Sequence, residues 1–156
     1  MTLAQRLQED LTRAMRERDD LRRDSLRMAV AAVYNNQKQA RRELSDDEVV
    51  GVLMREVKAR RETIEALHGA GRAEDVSQEQ AKLDIIAAYL PQQLSGEELD
   101  AMVAAAIDES GATSPRDMGR VMAVLMPRVR GRAQGKQISE AVARQLARRD
   151  LAKHGH

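Results

Sequence analysis

Ser45-Asp46-Asp47-Glu48-Val49-Val50-Gly51-Val52-Leu53 opens the stretch, 45–71, whose reading decides the fold. A serine followed three residues later by a glutamate can cap two free backbone amides reciprocally, which marks a helix start. Behind it Val49, Leu53, Val57, Ile64 and Leu67 share one face of an α-helix, and Gly69-Ala70-Gly71 ends the run. The pattern is a long amphipathic helix with a charged outer side.

The same grammar extends in both directions. Upstream, Thr2…Gln5 starts a helix with Leu3, Leu7, Leu11 and Met15 on one face, and a second follows Asp19-Asp20 through Leu26, Val30 and Val33. The second and third helices are long and are expected to pair as a hairpin across the turn at 42–45. Downstream, Ser77…Gln80 predicts a fourth start, with Leu83, Ile86 and Leu90 ended by Pro91. Ser95…Glu98 begins a fifth helix that stops at Gly111. Ser114…Asp117, with Pro115 in the first helical position, begins a sixth that runs to Pro127. The last starts near Gly135 and carries Ile138, Val142 and Leu146. The expected fold class is all-α. A long helical part of about four helices spans 1–91, and a small three-helix bundle spans 95–152, with a seam at Pro91–Ser95.

Composition agrees and excludes several classes. Of 156 residues, 42% are hydrophobic and 33% charged, but the aromatics are only Tyr34 and Tyr89, so the core must be aliphatic with help from eight methionines. With no cysteine, disulfides and thiolate chemistry are excluded. No run reaches the roughly 18 apolar residues a membrane span needs. Met1–Arg6 reads as a helix start and not as a secretion signal, so the expected compartment is the cytoplasm.

Net charge is +1, unevenly spread. Residues 1–90 hold 16 bases and 17 acids; 91–115 hold five acids and no base; 116–153 hold ten bases and three acids. A local excess of this kind steers polyanions.

Two stretches carry a family resemblance. One is Arg60-Arg61-Glu62-Thr63-Ile64, then Ala70-Gly71-Arg72, Glu79 and Tyr89-Leu90-Pro91; the other is Met118-Gly119-Arg120-Val121-Met122 followed by Gly131-Arg132-Ala133. Together they resemble the GatB/YqeY family over essentially the whole chain. Lys82, where the family has an acid, and Leu67, where it has an aromatic, depart from the pattern. The resemblance implies a free-standing relative of the carboxy-terminal tail of the tRNA-dependent amidotransferase B subunit. It also implies a link to tRNA, and a family label of carbon–nitrogen ligase with glutamine as amide donor. It implies no catalysis, because the kinase and glutaminase sites of that enzyme lie elsewhere.

Arg116, Arg120, Arg128, Arg130, Arg132 and Lys136 are the candidate nucleic-acid contacts, the last three beside the free amides that head the final helix. The alternative is a solvated basic loop. Gly131-Arg132-Ala133-Gln134-Gly135-Lys136 is one residue short of a nucleotide loop, follows no strand, and has Gln137 where Ser or Thr would hold magnesium. Arg60, Arg61 and Arg72 form a second polyanion candidate; the plainer reading has Arg60 and Arg61 closing a helix beside Glu56, Glu62 or Glu65. Met118, Met122 and Met126 read as core before partner groove. Asp46-Asp47 and Glu97-Glu98 read as first-turn charges before acid–base pairs. His68, His154 and His156 lack metal-ligand spacing. No catalytic group, cofactor or metal is expected. The expected function is a non-catalytic tRNA-associated accessory protein, with amidotransferase or other translation components as possible partners. The alternative is a helical protein–protein adaptor.

Overall fold

Seven α-helices and one 3-10 turn make up the computed structural model, which describes residues 1–154. They are α1 (Leu3–Arg16), α2 (Asp20–Ala40), α3 (Asp46–Gly69), α4 (Ala73–Ala87), α5 (Gly96–Ser110), the turn Pro115–Asp117, α6 (Met118–Val129) and α7 (Gly135–His154). No strand occurs among the described residues, and no helix among them is long and apolar enough to cross a membrane. His156 lies outside the described residues.

Local chemistry sets most helix starts. Thr2, Ser45 and Ser95 each form a complete capping box, and Asp19 accepts the amide of Arg22. Such a cap stabilises a helix by about 1 kcal/mol. The Asp46 carboxylate reaches further and accepts the amide of Leu3 at 2.9 Å, so it serves the head of α1 as well as its own helix.

Three boundaries differ from expectation, the first being the end of α4, which stops at Ala87 and leaves Leu90 in the turn before Pro91. Ser77 does not begin α4; the helix starts at Ala73 with no side-chain cap. Gly71, at φ +70°, makes the turn there, and Arg72 closes on Asp75 at 2.6 Å over the first turn. Pro127 does not end α6, which runs on to Val129. In the last turn a proline forfeits one intrahelical bond and leaves the rest of the ladder intact.

The chain divides into two compact units, Met1–Pro91 and Gln92–His156. In the first, Leu7 and Leu11 of α1, Leu26 and Val33 of α2, Val49, Leu53 and Val57 of α3, and Ile86 of α4 share one buried core. α2 packs on α3, but the most extensive pairings are α3 with α4 and α1 with α2. The buried Ser25 hydroxyl ties α2 to α4 by donating to the Lys82 carbonyl at 2.7 Å. In the second unit, Val103 and Ile107 of α5, Val121 and Leu125 of α6, and Ile138, Val142 and Leu146 of α7 form a separate core. Met118, Met122 and Met126 are half-buried against it, so the methionine stripe packs on the core.

Arg60 overturns part of the second polyanion candidate. It sits inside α3, not at its end, and is only 5% exposed. Its Nη1 donates to Glu79 Oε2 at 3.0 Å, its Nη2 meets the Met28 sulfur, and its Nε has no partner. Lys82 stands 3.6 Å from the other Glu79 oxygen. Lys82 therefore shares, from within α4, the carboxylate through which Arg60 ties α3 to α4. A buried guanidinium cannot meet a polyanion. Arg61 and Arg72 are both exposed, the latter paired with Asp75, so only two of the three remain at the surface.

Tyr89 closes the first unit. Its hydroxyl donates to the Asp10 carboxylate, and the Arg6 guanidinium lies 4.8 Å from the ring centre. Burial, then the bond to Asp10, pushes the phenol pKa up to about 12.

Two stability measurements follow from these contacts. Arg60→Ala should cost about 3 kcal/mol in denaturant unfolding, the lower end for a broken buried pair because Lys82 still faces Glu79. Arg61→Ala should stay within about 0.5 kcal/mol of wild type; similar losses at both sites would refute the assigned roles. Tyr89→Phe should cost about 1–2 kcal/mol at neutral pH, the range of a partly exposed hydrogen bond to a charged acceptor. Because folding raises this pKa from 10.0 to about 12, the contribution is full below the unfolded value and is lost as pH rises through about 12. The wild type should show that alkaline loss, and the Phe variant should lack its share of it.

Candidate nucleic-acid interface

The basic end of the sequence folds onto the acidic stretch that precedes it. Asp100, Asp108 and Glu109 of α5 pair with Arg144, Arg149 and Arg128, each at 2.6 Å. The hydrogen bond from Arg128 holds the Glu109 carboxyl below its ordinary range. Ten bases and eight acids leave the unit from 92 to 156 at +2, well short of the excess counted over 116–153 alone.

The six candidates accordingly differ in kind. Arg128 is held by Glu109. Arg120 donates to the Ser110 carbonyl at 3.2 Å and lies 3.7 Å from Asp117, a loose pair. Asp117 itself accepts the amides of Thr113 and Ser114, which hold its pKa down. Lys136 approaches Glu140 at 3.9 Å with both side chains well exposed, where a pair contributes little. Arg116 and Arg130 are exposed, and no carboxylate among the described residues is within ion-pair distance of either.

Arg132 has structural work. Its Nε donates to the Gln92 carbonyl at 3.0 Å and its Nη1 to the Arg128 carbonyl at 3.4 Å. Its own carbonyl accepts the amide of Leu94 at 2.8 Å, and Gln93 Nε2 donates to the Gly131 carbonyl at 2.7 Å. Residues 92–94 are thus laced onto the loop ahead of α7, whose turn depends on Gly131 at φ +76°. The side chain is not a free loop cation, and its loss would loosen packing as well as charge. At the head of α7, Gln137 Oε1 accepts the amide of Gln134 at 3.3 Å, so part of the expected phosphate seat is filled from within.

The candidates do not gather into one patch. Arg116 and Arg130 flank α6, whose 12 residues put them about 18 Å apart along its axis. Arg116 instead borders a groove with Lys153, Asp150 and His154. Arg148 and Lys153, absent from the six, are exposed on α7 with no carboxylate partner among the described residues. Sequence could not separate them from Arg144 and Arg149, because the acids that claim those two lie some 40 residues upstream. No group of three or more His, Cys, Asp or Glu suited to a metal occurs among the described residues.

Comparison with known proteins identifies the family. The model of the Yqey-like protein family matches residues 4–146. A curated relative, "Altered inheritance of mitochondria protein 41, mitochondrial" of Pyrenophora tritici-repentis, is 30% identical over 130 residues, which cover 82% of this chain and 71% of the relative. That match spans both helical units, and the chain belongs to the YqeY-like protein family.

Proposed function

We propose that this protein is a non-catalytic accessory that binds tRNA in the cytoplasm through the cations its second unit leaves unpaired. One observation carries the reading: among the described residues α5 claims Arg128, Arg144 and Arg149, while Arg116, Arg130, Arg148 and Lys153 have no acid within ion-pair distance and Lys136 has only a distant one. Unpaired, exposed cations release phosphate counterions on binding without first breaking an internal pair. Their spread over both ends of α6 suits a backbone followed across a surface better than one anion in a pocket. The likeness to the amidotransferase tail supports tRNA as the polyanion and amidotransferase or other translation components as its setting. The side chains gathered here include no activated nucleophile.

Salt titration of tRNA binding tests the reading. Changing Arg116, Arg130 and Lys136 together to Ala should weaken binding and flatten the log–log salt slope by about two to three. Changing Arg22 and Arg23, which are already paired with Asp19, Asp20 and Asp24, should have little effect. The purified chain should neither hydrolyse glutamine nor amidate Glu-tRNA with ATP. No binding at micromolar tRNA would favour the adaptor instead, and turnover abolished by a point mutation would end the non-catalytic reading.

A further inference from the structure

Helix α2 carries a charge pattern that its own unit does not use. From Ser25 to Arg42 there are four bases and no acid. Arg27, Ala31, Tyr34, Lys38 and Arg41 recur at alternating spacings of four and three, which places them along one side of the helix, and all five are exposed. The opposite side, with Leu26, Ala29 and Val33, is buried in the core. Among the described residues Arg27, Lys38 and Arg41 have no carboxylate within ion-pair distance, whereas Arg22, Arg23 and Arg42 do.

Tyr34 stands in the middle of the stripe, 60% exposed, with the Lys38 ammonium 5.6 Å from its ring centre. Arg41 ends the stripe at φ +57°, a left-handed position that glycine or asparagine fills at less cost. The residue that occupies it is an exposed cation at the end of the helix.

We propose that this face of α2 binds unpaired nucleotides of RNA, with Tyr34 as a stacking platform for a base and Arg27, Lys38 and Arg41 on the phosphates either side. An aromatic ring flanked by cations is what a flexible single strand needs, because every base has a face to stack and the charges follow the backbone. From Arg27 to Lys38 the stripe runs about 16 Å, enough for a few nucleotides. A membrane-surface helix would turn a broad apolar face outward between its cations; here Leu26, Ala29 and Val33 are in the core, and only Leu21 and Met28 stand exposed beside the stripe. This surface lies in the first unit and stands whether or not the second unit binds tRNA.

The chain supplies its own probe, since Tyr34 and Tyr89 are its only aromatics and Tyr89 is buried. Single-stranded oligouridine should quench tyrosine fluorescence, and Tyr34→Leu should abolish the quench with helical content unchanged. Tyr34→Ala should weaken oligouridine binding roughly ten-fold, the effect of losing one stacked base, while Tyr34→Phe should keep it. Changing Arg27, Lys38 and Arg41 to Ala should flatten the salt slope by about two. The Arg116/Arg130/Lys136 variant should keep the quench even as its tRNA affinity falls. Equal affinity for an oligouridine–oligoadenine duplex, binding indifferent to Tyr34→Ala, or a quench lost in the second-unit variant would each overturn the proposal. So would tighter binding of polyglutamate or phosphatidylserine vesicles through the same side chains.

Discussion

Three carboxylates on one helix govern what the second unit can do. Asp100, Asp108 and Glu109 line α5 and each meets an arginine of α6 or α7 at 2.6 Å. Pairs this exposed add little stability; their consequence lies in allocation. They decide which cations are spent inside the fold and which stay unpaired, and with Glu97 and Glu98 they bring a steeply basic stretch down to a unit of modest net charge. Loop 131–135 then depends on Arg132, a base satisfied by carbonyls and so removed from the free set without losing its charge.

The first unit meets a different constraint. With two tyrosines and no other aromatic, its core is an aliphatic stripe from each of four helices. Polar ties add direction to that packing: Ser25 to the Lys82 carbonyl, Tyr89 to Asp10, and the buried Arg60 to Glu79. The last is the costliest, since its Nε is left without a partner. Buried groups of this kind specify which helix sits against which more than they stabilise. The outer face of α2, free of such ties, carries Arg27, Lys38 and Arg41 with no carboxylate within ion-pair distance among the described residues.

What sequence could show follows from the range of each interaction. The caps at Thr2, Ser45 and Ser95 were legible because donor and acceptor lie three residues apart. Ser77 misled because the same local pattern also fits inside a helix, whose true start was set by Gly71 and the Arg72–Asp75 pair. The apolar stripes were legible for the same reason as the caps. The burial of Arg60 was not, because its partner is 19 residues on and across a helix pair. Nor was the role of Arg132, whose carbonyl partner at Gln92 is 40 residues back. Candidate bases could be counted from the sequence, but their availability could not.

If the carboxylates of α5 hold cations away from RNA, removing their charge should release those cations. Changing Asp100, Asp108 and Glu109 together to Asn, Asn and Gln frees Arg128, Arg144 and Arg149 with little change of shape. The measurement is tRNA affinity against salt for this variant and wild type, with helical content as the check on folding. Tighter binding with a steeper salt slope is the predicted result. Unchanged or weaker binding by a fully folded variant would contradict it, and would mean that the pairing on α5 does not set which charges meet the nucleic acid.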